Sequence, residues 1–402
     1  MLGWKIKKLS DVTTKIGSGS TPRGGKGAYK EEGISLIRSL NIHDKKFLKK
    51  DLAFIDDSQA EKLKNVIVEE NDVLLNITGA SVCRCSIVPD FVLPARVNQH
   101  VAILRSEPEF LDSKYLELCL TSEDYKRRLL HIATSGGATR EALTKEQLEN
   151  FEIPLPPLAE QRRIAAILDK ADAIRRKQQQ AIDLCDQFLK ALFIDMFGDP
   201  VTNPKDWEVK KLGDFLSLKP TIGTIQPVSD EGTHKVVRVG EIGSRQVNLE
   251  ACKNIIPTEK EYERSLLDEG DLILARAIGS EKLLGKASLF DGEEENVFFD
   301  SHVMRIRCDQ KKLVPLFVYW WLSTDGGRAL FMKRAGRTAV QFNINGKQFC
   351  LIDIAVPPLD LQNKFAEIVK KTEVKKAKMQ KSLDRLNDNF NALSQKAFKG
   401  EL

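Results

Sequence analysis

Apolar positions along the chain fall into two alternating textures. Over residues 1–155 and again over 199–356, short apolar runs such as Ile34 to Ile37, Val73 to Leu75 and Val236 to Val239 are separated by Gly, Asn and Asp. That pattern predicts short strands joined by turns. The mixed segments Ser113 to Leu130 and Val314 to Arg334 predict helices. From Leu158 to Phe197 there is neither Pro nor Gly, and apolar or small residues fall at Ile164, Ile167, Ala171, Ile174, Ala181, Cys185, Phe188 and Leu192, with Gln178 completing alternate steps of three and four. This is a heptad seam on one long helix. Pro156-Pro157 before it and Gly198 after it mark its ends. A second stripe runs through Phe365, Ile368, Thr372, Met379, Leu383, Leu386, Phe390, Leu393 and Ala397, with a four-four step between 368 and 376 that shifts its phase. A lone amphipathic helix about 39 residues long would leave its stripe wet, so the two are expected to pack together.

The two textures recur because the chain is written twice. Trp4-Lys-Ile-Lys-Lys-Leu9 returns as Trp207-Glu-Val-Lys-Lys-Leu212. Asn71-Asp72 with its apolar run and Gly79 returns as Gly270-Asp271 and Gly279; Asn98-Gln99-His100 returns as Asp300-Ser301-His302. Ile153-Pro-Leu-Pro-Pro-Leu-Ala-Glu-Gln161 returns as Ile354-Ala-Val-Pro-Pro-Leu-Asp-Leu-Gln362. A unit of about 200 residues is too long for a solenoid repeat and suits a duplicated domain plus connector. The expected fold class is α+β: two α/β domains related by a pseudo-two-fold axis and separated by a long antiparallel two-helix coiled coil. The expected boundaries are 1–155 for the first domain, 156–198 for the central long helix, 199–356 for the second domain and 357–402 for the distal long helix.

Composition narrows the class. With 402 residues, 42% hydrophobic and 30% charged, the chain reads as an ordinary globular protein rather than a disordered or collagenous one. No apolar run approaches the roughly 20 residues of a membrane span, and the N-terminus shows no secretory signal, so a cytoplasmic location is expected. Seven scattered cysteines without CxxC spacing read as reduced thiols, and the lone Cys83-Arg-Cys85 reads as strand residues beside a loop rather than a metal site. The net charge of +5 is only slightly basic.

Catalytic signatures fall short. The Gly17-Ser-Gly-Ser-Thr-Pro-Arg-Gly-Gly-Lys26 loop has Ser20 and Gly27 where a phosphate loop needs Gly and then Ser or Thr. Leu155 and Val356, not Asn or Asp, precede the proline pairs, so the amino-group-holding motif of DNA methyltransferases is absent. Glu208-Val-Lys210 resembles the tail of a nuclease motif, but no metal-binding aspartate stands at a suitable distance before it. His100 and His302 recur without a nucleophile motif, which leaves a core role and a groove contact both open. What remains is a set of polar loop residues suited to phosphates and base edges. In the first half these are Arg23, Lys26, Arg38, Asn41, Thr78, Ser81, Arg84, Asn98, Gln99, His100, Thr139 and Arg140; in the second, Arg238, Glu241, Arg276, Ser280, Lys282, Ser301, His302, Arg337, Thr338, Gln341 and Asn343. Corresponding tips differ while the frame repeats, as expected of two readers of different sequences.

The segment IPLPPLAEQRRIAAILDKAD at 153–172, its echo IAVPPLDLQNKFAEIV at 354–369 and the paired tryptophan starts resemble the specificity subunits of type I restriction-modification systems, over essentially the whole chain. The resemblance implies a DNA reader without catalysis of its own, with two target-recognition domains that each read half of a bipartite site. It implies partners: two methyltransferase subunits and, in the full restriction complex, two restriction-translocase subunits. S-adenosylmethionine, ATP and Mg2+ then belong to those partners, and this chain needs no cofactor or metal. The second copy departs from the first at Ala355-Val356 and Asp360-Leu361, which puts equal docking of the two partner subunits in question. The Gly-Ser-Thr-Pro22 loop shows no clear twin near Pro220 to Pro227. The alternatives are a standalone DNA methyltransferase or nuclease with a divergent site, and a coiled-coil scaffold unrelated to DNA.

Overall fold

The computed structural model describes residues 4–22, 24–135, 141–243, 245–337 and 341–402, with Lys26 described by its backbone alone. It divides into two compact units, residues 1–179 with 380–402, and residues 180–379.

In the first unit, two four-stranded sheets are built on the predicted runs. One orders Ala53–Ile55, Ile34–Ile37, Ala95–Val97 and Ile67–Val68, with Ile34–Ile37 and Ala95–Val97 parallel. The other is antiparallel and orders Thr13–Ser18, Val101–Ser106, Val73–Asn76 and Cys85–Ile87. Because side chains alternate along a strand, Val73 and Leu75 enter the core shared with the helices while Leu74 enters the core between the sheets. That two-faced burial is why the run is apolar without alternation. The second unit repeats the plan. Leu216–Ile222, Val303–Cys308, Leu272–Ala275 and Ala287–Leu289 form an antiparallel sheet, and Lys253–Ile255, His234–Val237 and Phe298–Phe299 a smaller one containing a parallel pair. Leu272 and Leu274 face one core and Ile273 the other.

The repeated motifs are the parts that join strand to helix. Lys5–Lys8 pairs antiparallel with Glu152–Leu155, and Val209–Lys211 with Asp353–Ala355, so the tryptophan start of each half and the run before its proline pair are one two-stranded ribbon. Gln161 is fully buried; its Oε1 accepts the Asp112 N–H at 2.9 Å and its Nε2 donates to Phe110 and Pro156 carbonyls at 2.7 and 2.8 Å. Gln362 does the same for Val314 N, Lys312 O and Pro357 O. The Asn71-Asp72 and Gly270-Asp271 turns also match. Asn71 (φ 65°) and Gly270 (φ 86°) sit in the left-handed region that these two residue types tolerate. Buried Asp72 takes Arg105 in a bidentate pair at 2.8 and 2.9 Å, and Asp271 takes Arg307 at 2.6 Å on both oxygens. The hydrogen bond to aspartate holds each guanidinium above the usual arginine range.

Each mid-domain segment expected as one helix is two. Ser113–Thr121 and Glu123–Thr134 are broken at Ser122, and Pro315–Ser323 and Asp325–Met332 at Thr324. Both break residues have extended backbones, and their hydroxyls bond the Cys119 and Trp321 carbonyls. A hydroxyl residue followed by an acidic one starts a new helix more readily than it continues an old one.

The long helices span Leu158–Phe197 and Leu359–Lys399. The stripe buried by the central helix differs from the expected seam. It runs through Gln161, Ile164, Ala165, Leu168, Asp172, Ile182, Leu189, Phe193 and Phe197, while Ile174 and Phe188 are 48% and 51% exposed. Ile167, Ala171, Cys185 and Leu192 lie at its margin, half-buried. The reason is that each end of the helix packs on a globular core along a stripe averaging the 3.6 residues per turn of a straight helix, from which a strict 3.5 count drifts. On the distal helix Phe365, Leu383 and Phe390 are buried, and Ile368, Met379, Leu386 and Leu393 half-buried. Within the second unit Asp186 meets Lys376 and Phe193 meets Phe365, so the two helix segments there run in opposite directions.

Candidate nucleic-acid interface

The polar residues singled out in the sequence divide into those spent on the frame and those left at its tips. Asn41 is fully buried. Its Oδ1 accepts the Arg38 N–H at 3.1 Å and its amide donates to the Leu48 and Lys50 carbonyls, so its polar atoms hold a turn and are not free for a base. Glu241 holds the matching turn, accepting the Arg238 N–H at 2.9 Å and pairing with the Arg238 guanidinium at 3.1 Å. Asn98 and Asp300 are a second matched pair. Each accepts the N–H two residues on, from His100 at 3.0 Å and His302 at 2.9 Å, in an Asx turn. Burial pushes the Asp300 carboxyl above the usual carboxylate range, against the pull of His302. Arg276 is also structural, with Nη1 on Ser301 O at 2.8 Å and Nε on Ile344 O. These four side chains, Asn41, Asn98, Glu241 and Arg276, are thus engaged in hydrogen bonds within the frame.

The glycine loop does have a twin. A Cβ on Gly19 would stand 1.8 Å from Val97 O, and one on Gly223 1.8 Å from Phe299 O. Both glycines let the strand exit cross close over its neighbour, which the surrounding sequence disguises because Ser-Thr-Pro22 follows one and Thr-Ile-Gln-Pro227 the other.

At the tip of the first unit, Thr78, Ser81, Arg84 and His100 line one open pocket of ≈ 500 Å³ with Ser39 and Glu141. Thr78 Oγ1 lies 2.5 Å from His100 Nδ1, and His100 Nε2 lies 3.1 Å from the exposed Gln99 amide nitrogen. Gln99 in turn accepts from Thr21. Arg38 stacks over the Tyr29 ring at 5.1 Å and donates to Asp51 O. Ser39, Glu141 and Tyr29 were not legible as site residues, since nothing local distinguishes them; the pocket that gathers them is made by segments far apart in sequence. Arg23, Thr139 and Arg140, with the Lys26 side chain, lie outside the described residues.

The second unit gathers its candidates differently. Ala277–Ile278, Phe342–Asn343 and Gly336–Arg337 form a small sheet, which brings Arg337 and Asn343 beside the strand that follows Arg276. Arg337 is exposed and lies 5.2 Å over the Phe342 ring. Gln341, Ser280 and Ser301 are half-buried, Lys282 is exposed, and the His302 side chain is 56% exposed, near Asp300 rather than a threonine. Thr338 lies outside the described residues. The frame is thus shared and the two tips are not.

Among the described residues no His, Cys, Asp and Glu cluster is placed to hold a metal ion, and no helix is long and apolar enough to cross a membrane. Cys83 and Cys85 are buried, and burial pushes the Cys83 thiol up to about 12.

Comparison with known proteins agrees with the duplicated frame. The type I restriction enzyme EcoKI specificity subunit of Escherichia coli K12 is 25% identical over 422 aligned residues, covering 100% of this chain and 89% of that protein. The StySPI specificity subunit of Salmonella potsdam is 23% identical, with the same coverage. A solved structure from work on complex assembly and conformational transition of the type I R-M system superposes with a TM-score of 0.62 at 16% identity, over 100% of this chain and 99% of that one. The type I restriction-modification S subunit from M. genitalium superposes at 0.54 and 15% identity, over 98% and 96%. The profile of the type I restriction modification DNA specificity domain matches twice, at residues 1–184 and 204–387, and the chain belongs to that family in duplicate.

Proposed function

We propose that this chain acts as the sequence-specificity subunit of a type I restriction-modification complex, each unit reading one half of a bipartite duplex site. The observation that carries this reading is the shared frame with unlike tips: a Thr78–His100–Gln99 chain beside Arg84 in one unit, and an Arg337–Asn343 sheet in the other. Arginine matches guanine edges bidentately and asparagine or glutamine matches adenine, so different tips select different words. The chain is proposed to be non-catalytic, with S-adenosylmethionine, ATP and Mg2+ held by two methyltransferase and two restriction-translocase subunits.

The long helices, of 40 and 41 residues, are proposed to pair as an antiparallel coiled coil that spaces the half-sites and docks the methyltransferase subunits. At about 1.5 Å per residue each spans roughly 60 Å. A net charge of +5 supplies few phosphate contacts, so tight binding needs the partners to complete a basic channel, and affinity should fall with log salt.

The test is to purify the chain with its methyltransferase partners and map the adenines or cytosines they modify. One bipartite motif with a fixed gap is expected, and removing about four residues, one turn or roughly 6 Å, from the central helix should shorten the gap while leaving both half-sites unchanged. Methylation or cleavage of DNA by the chain alone would refute the reading.

A further inference from the structure

Near the middle of the first unit lies a group of charged side chains that neither the frame nor the reading tips account for. The hairpin of Ile42–His43 and Lys46–Phe47 follows the Arg38–Asn41 turn and is tied to the recognition domain by Lys45 N–H on Cys85 O at 2.8 Å. At its corner Lys45 takes a left-handed backbone (φ 57°). Its ammonium lies 3.0 Å from Asp172 of the central helix and 4.5 Å over the ring of Phe390 of the distal helix. Arg175 covers the same ring at 4.1 Å, and bonds Asp172 at 2.5 Å and Asn387 at 3.3 Å. Asp172 is only 5% exposed and Lys45 15%. Burial draws Lys45 below the usual lysine range although Asp172 opposes it. Burial also works against the Asp172 charge, but Lys45 and Arg175 outweigh it.

The second unit makes the same connection with different residues. Arg245 stands four residues after Glu241, as Lys45 does after Asn41, and its guanidinium lies 3.6 Å from Glu373, the distal-helix counterpart of Asp172. Lys376, the counterpart of Arg175, pairs with Asp186 at 2.6 Å, where the first unit has Arg175 and Asn387. A lysine–aspartate pair in one copy and an arginine–glutamate pair in the other keep the charge order and change both side chains. Chance surface pairing does not reproduce a contact in this way across two copies whose tips have diverged. The two are unequal: the first is buried and capped by an aromatic ring, whereas the second is open, with each partner 24% exposed.

We propose that Lys45 and Arg245 are positioning residues for DNA recognition, each a strap that fixes the angle at which a recognition domain is carried on the long helices, with the first strap the tighter. This rests on the chain being a DNA specificity subunit, and the experiment separates the two claims. Nitroxides are placed through a non-canonical amino acid at the exposed Lys64 of the first recognition domain and Lys170 of the central helix, and their distance distribution is measured in the full chain by pulsed electron resonance. The distribution is expected to be narrow in the parent protein, to broaden in Lys45→Met and to stay narrow in Lys45→Arg, which keeps the charge and the ring contact. An unchanged width in Lys45→Met overturns the strap. In parallel, the methyltransferase complex is assayed on duplexes whose gap between half-sites is lengthened or shortened by single base pairs. Lys45→Met should reduce discrimination between the preferred gap and its neighbours by about tenfold, equivalent to about 1.4 kcal/mol, without changing the half-site words, and Lys45→Arg should restore it. A broadened distribution with unchanged gap discrimination, or an equal loss at every gap, overturns the positioning role. Absence of any gap preference in the parent complex would instead count against the bipartite reading, and the distance measurement would still decide the strap.

Discussion

Replacing Gln161 by leucine should loosen the junction between the first domain and its helix while leaving the second junction intact. The side chain is fully buried and serves three main-chain groups: Asp112 N–H at 2.9 Å, Phe110 O at 2.7 Å and Pro156 O at 2.8 Å. Leucine fills a similar volume and satisfies none of them. An orphaned buried polar group costs about 1–3 kcal/mol. The Pro156 bond is enclosed and carries the full cost, whereas the other two are half-buried and water recovers part of theirs. The sum is about 3 kcal/mol, or roughly a hundredfold faster amide exchange at the junction if exchange proceeds through local opening. Hydrogen exchange of peptides spanning residues 108–116 and 154–163 measures this directly, without assuming that a chain of two units unfolds in one step. The twin Gln362→Leu should act on peptides around Val314 and Pro357 alone and somewhat more weakly, because its contact with Lys312 O is already long at 3.4 Å. Exchange that rises less than about threefold, or rises equally in both units, would refute the view that the repeated proline–glutamine motif is a junction clamp.

Two further outcomes test the division between frame and tips. Arg276→Ala should cost about 1–3 kcal/mol of stability through its lost bonds to Ser301 and Ile344. Arg84→Ala, at the open pocket, should leave the thermal midpoint unchanged and relax one position of one half-site by about 1–3 kcal/mol; melting curves and methylation of a half-site library distinguish the two. Cys83, Cys85 and Cys308 are buried thiols, and burial raises all three, Cys83 and Cys308 to about 12. Because a thiol raised in this way holds its proton below that pH and alkylation needs the thiolate, native labelling at pH 8 should spare these three. Labelling at the rate of an unfolded control would contradict the burial.

Features carried by local rules were legible in the chain. The central helix runs from Leu158 to Phe197 because no Pro or Gly interrupts it, and it ends at Gly198, whose φ of 83° suits a helix stop. The runs at 34–37 and 73–75 became strands for similar reasons. The breaks at Ser122 and Thr324 were also written locally, as hydroxyl–acidic pairs, but the apolar pattern across them concealed the signal. The reading site was legible only as a surplus of candidates. Asn41 and Thr78 are both polar residues near strand ends, yet one is sealed by the Leu48 and Lys50 carbonyls and the other faces an open pocket.

By itself, the amino-acid order determined the doubling, the two long helices and the strand-and-turn texture of each half, since these depend on residue type, periodicity and near neighbours. Tertiary structure decided which face of each helix is buried, which polar groups are consumed, and that Lys45 reaches a carboxylate 127 positions away. Those outcomes depend on which distant segments meet, and neither periodicity nor propensity carries that information.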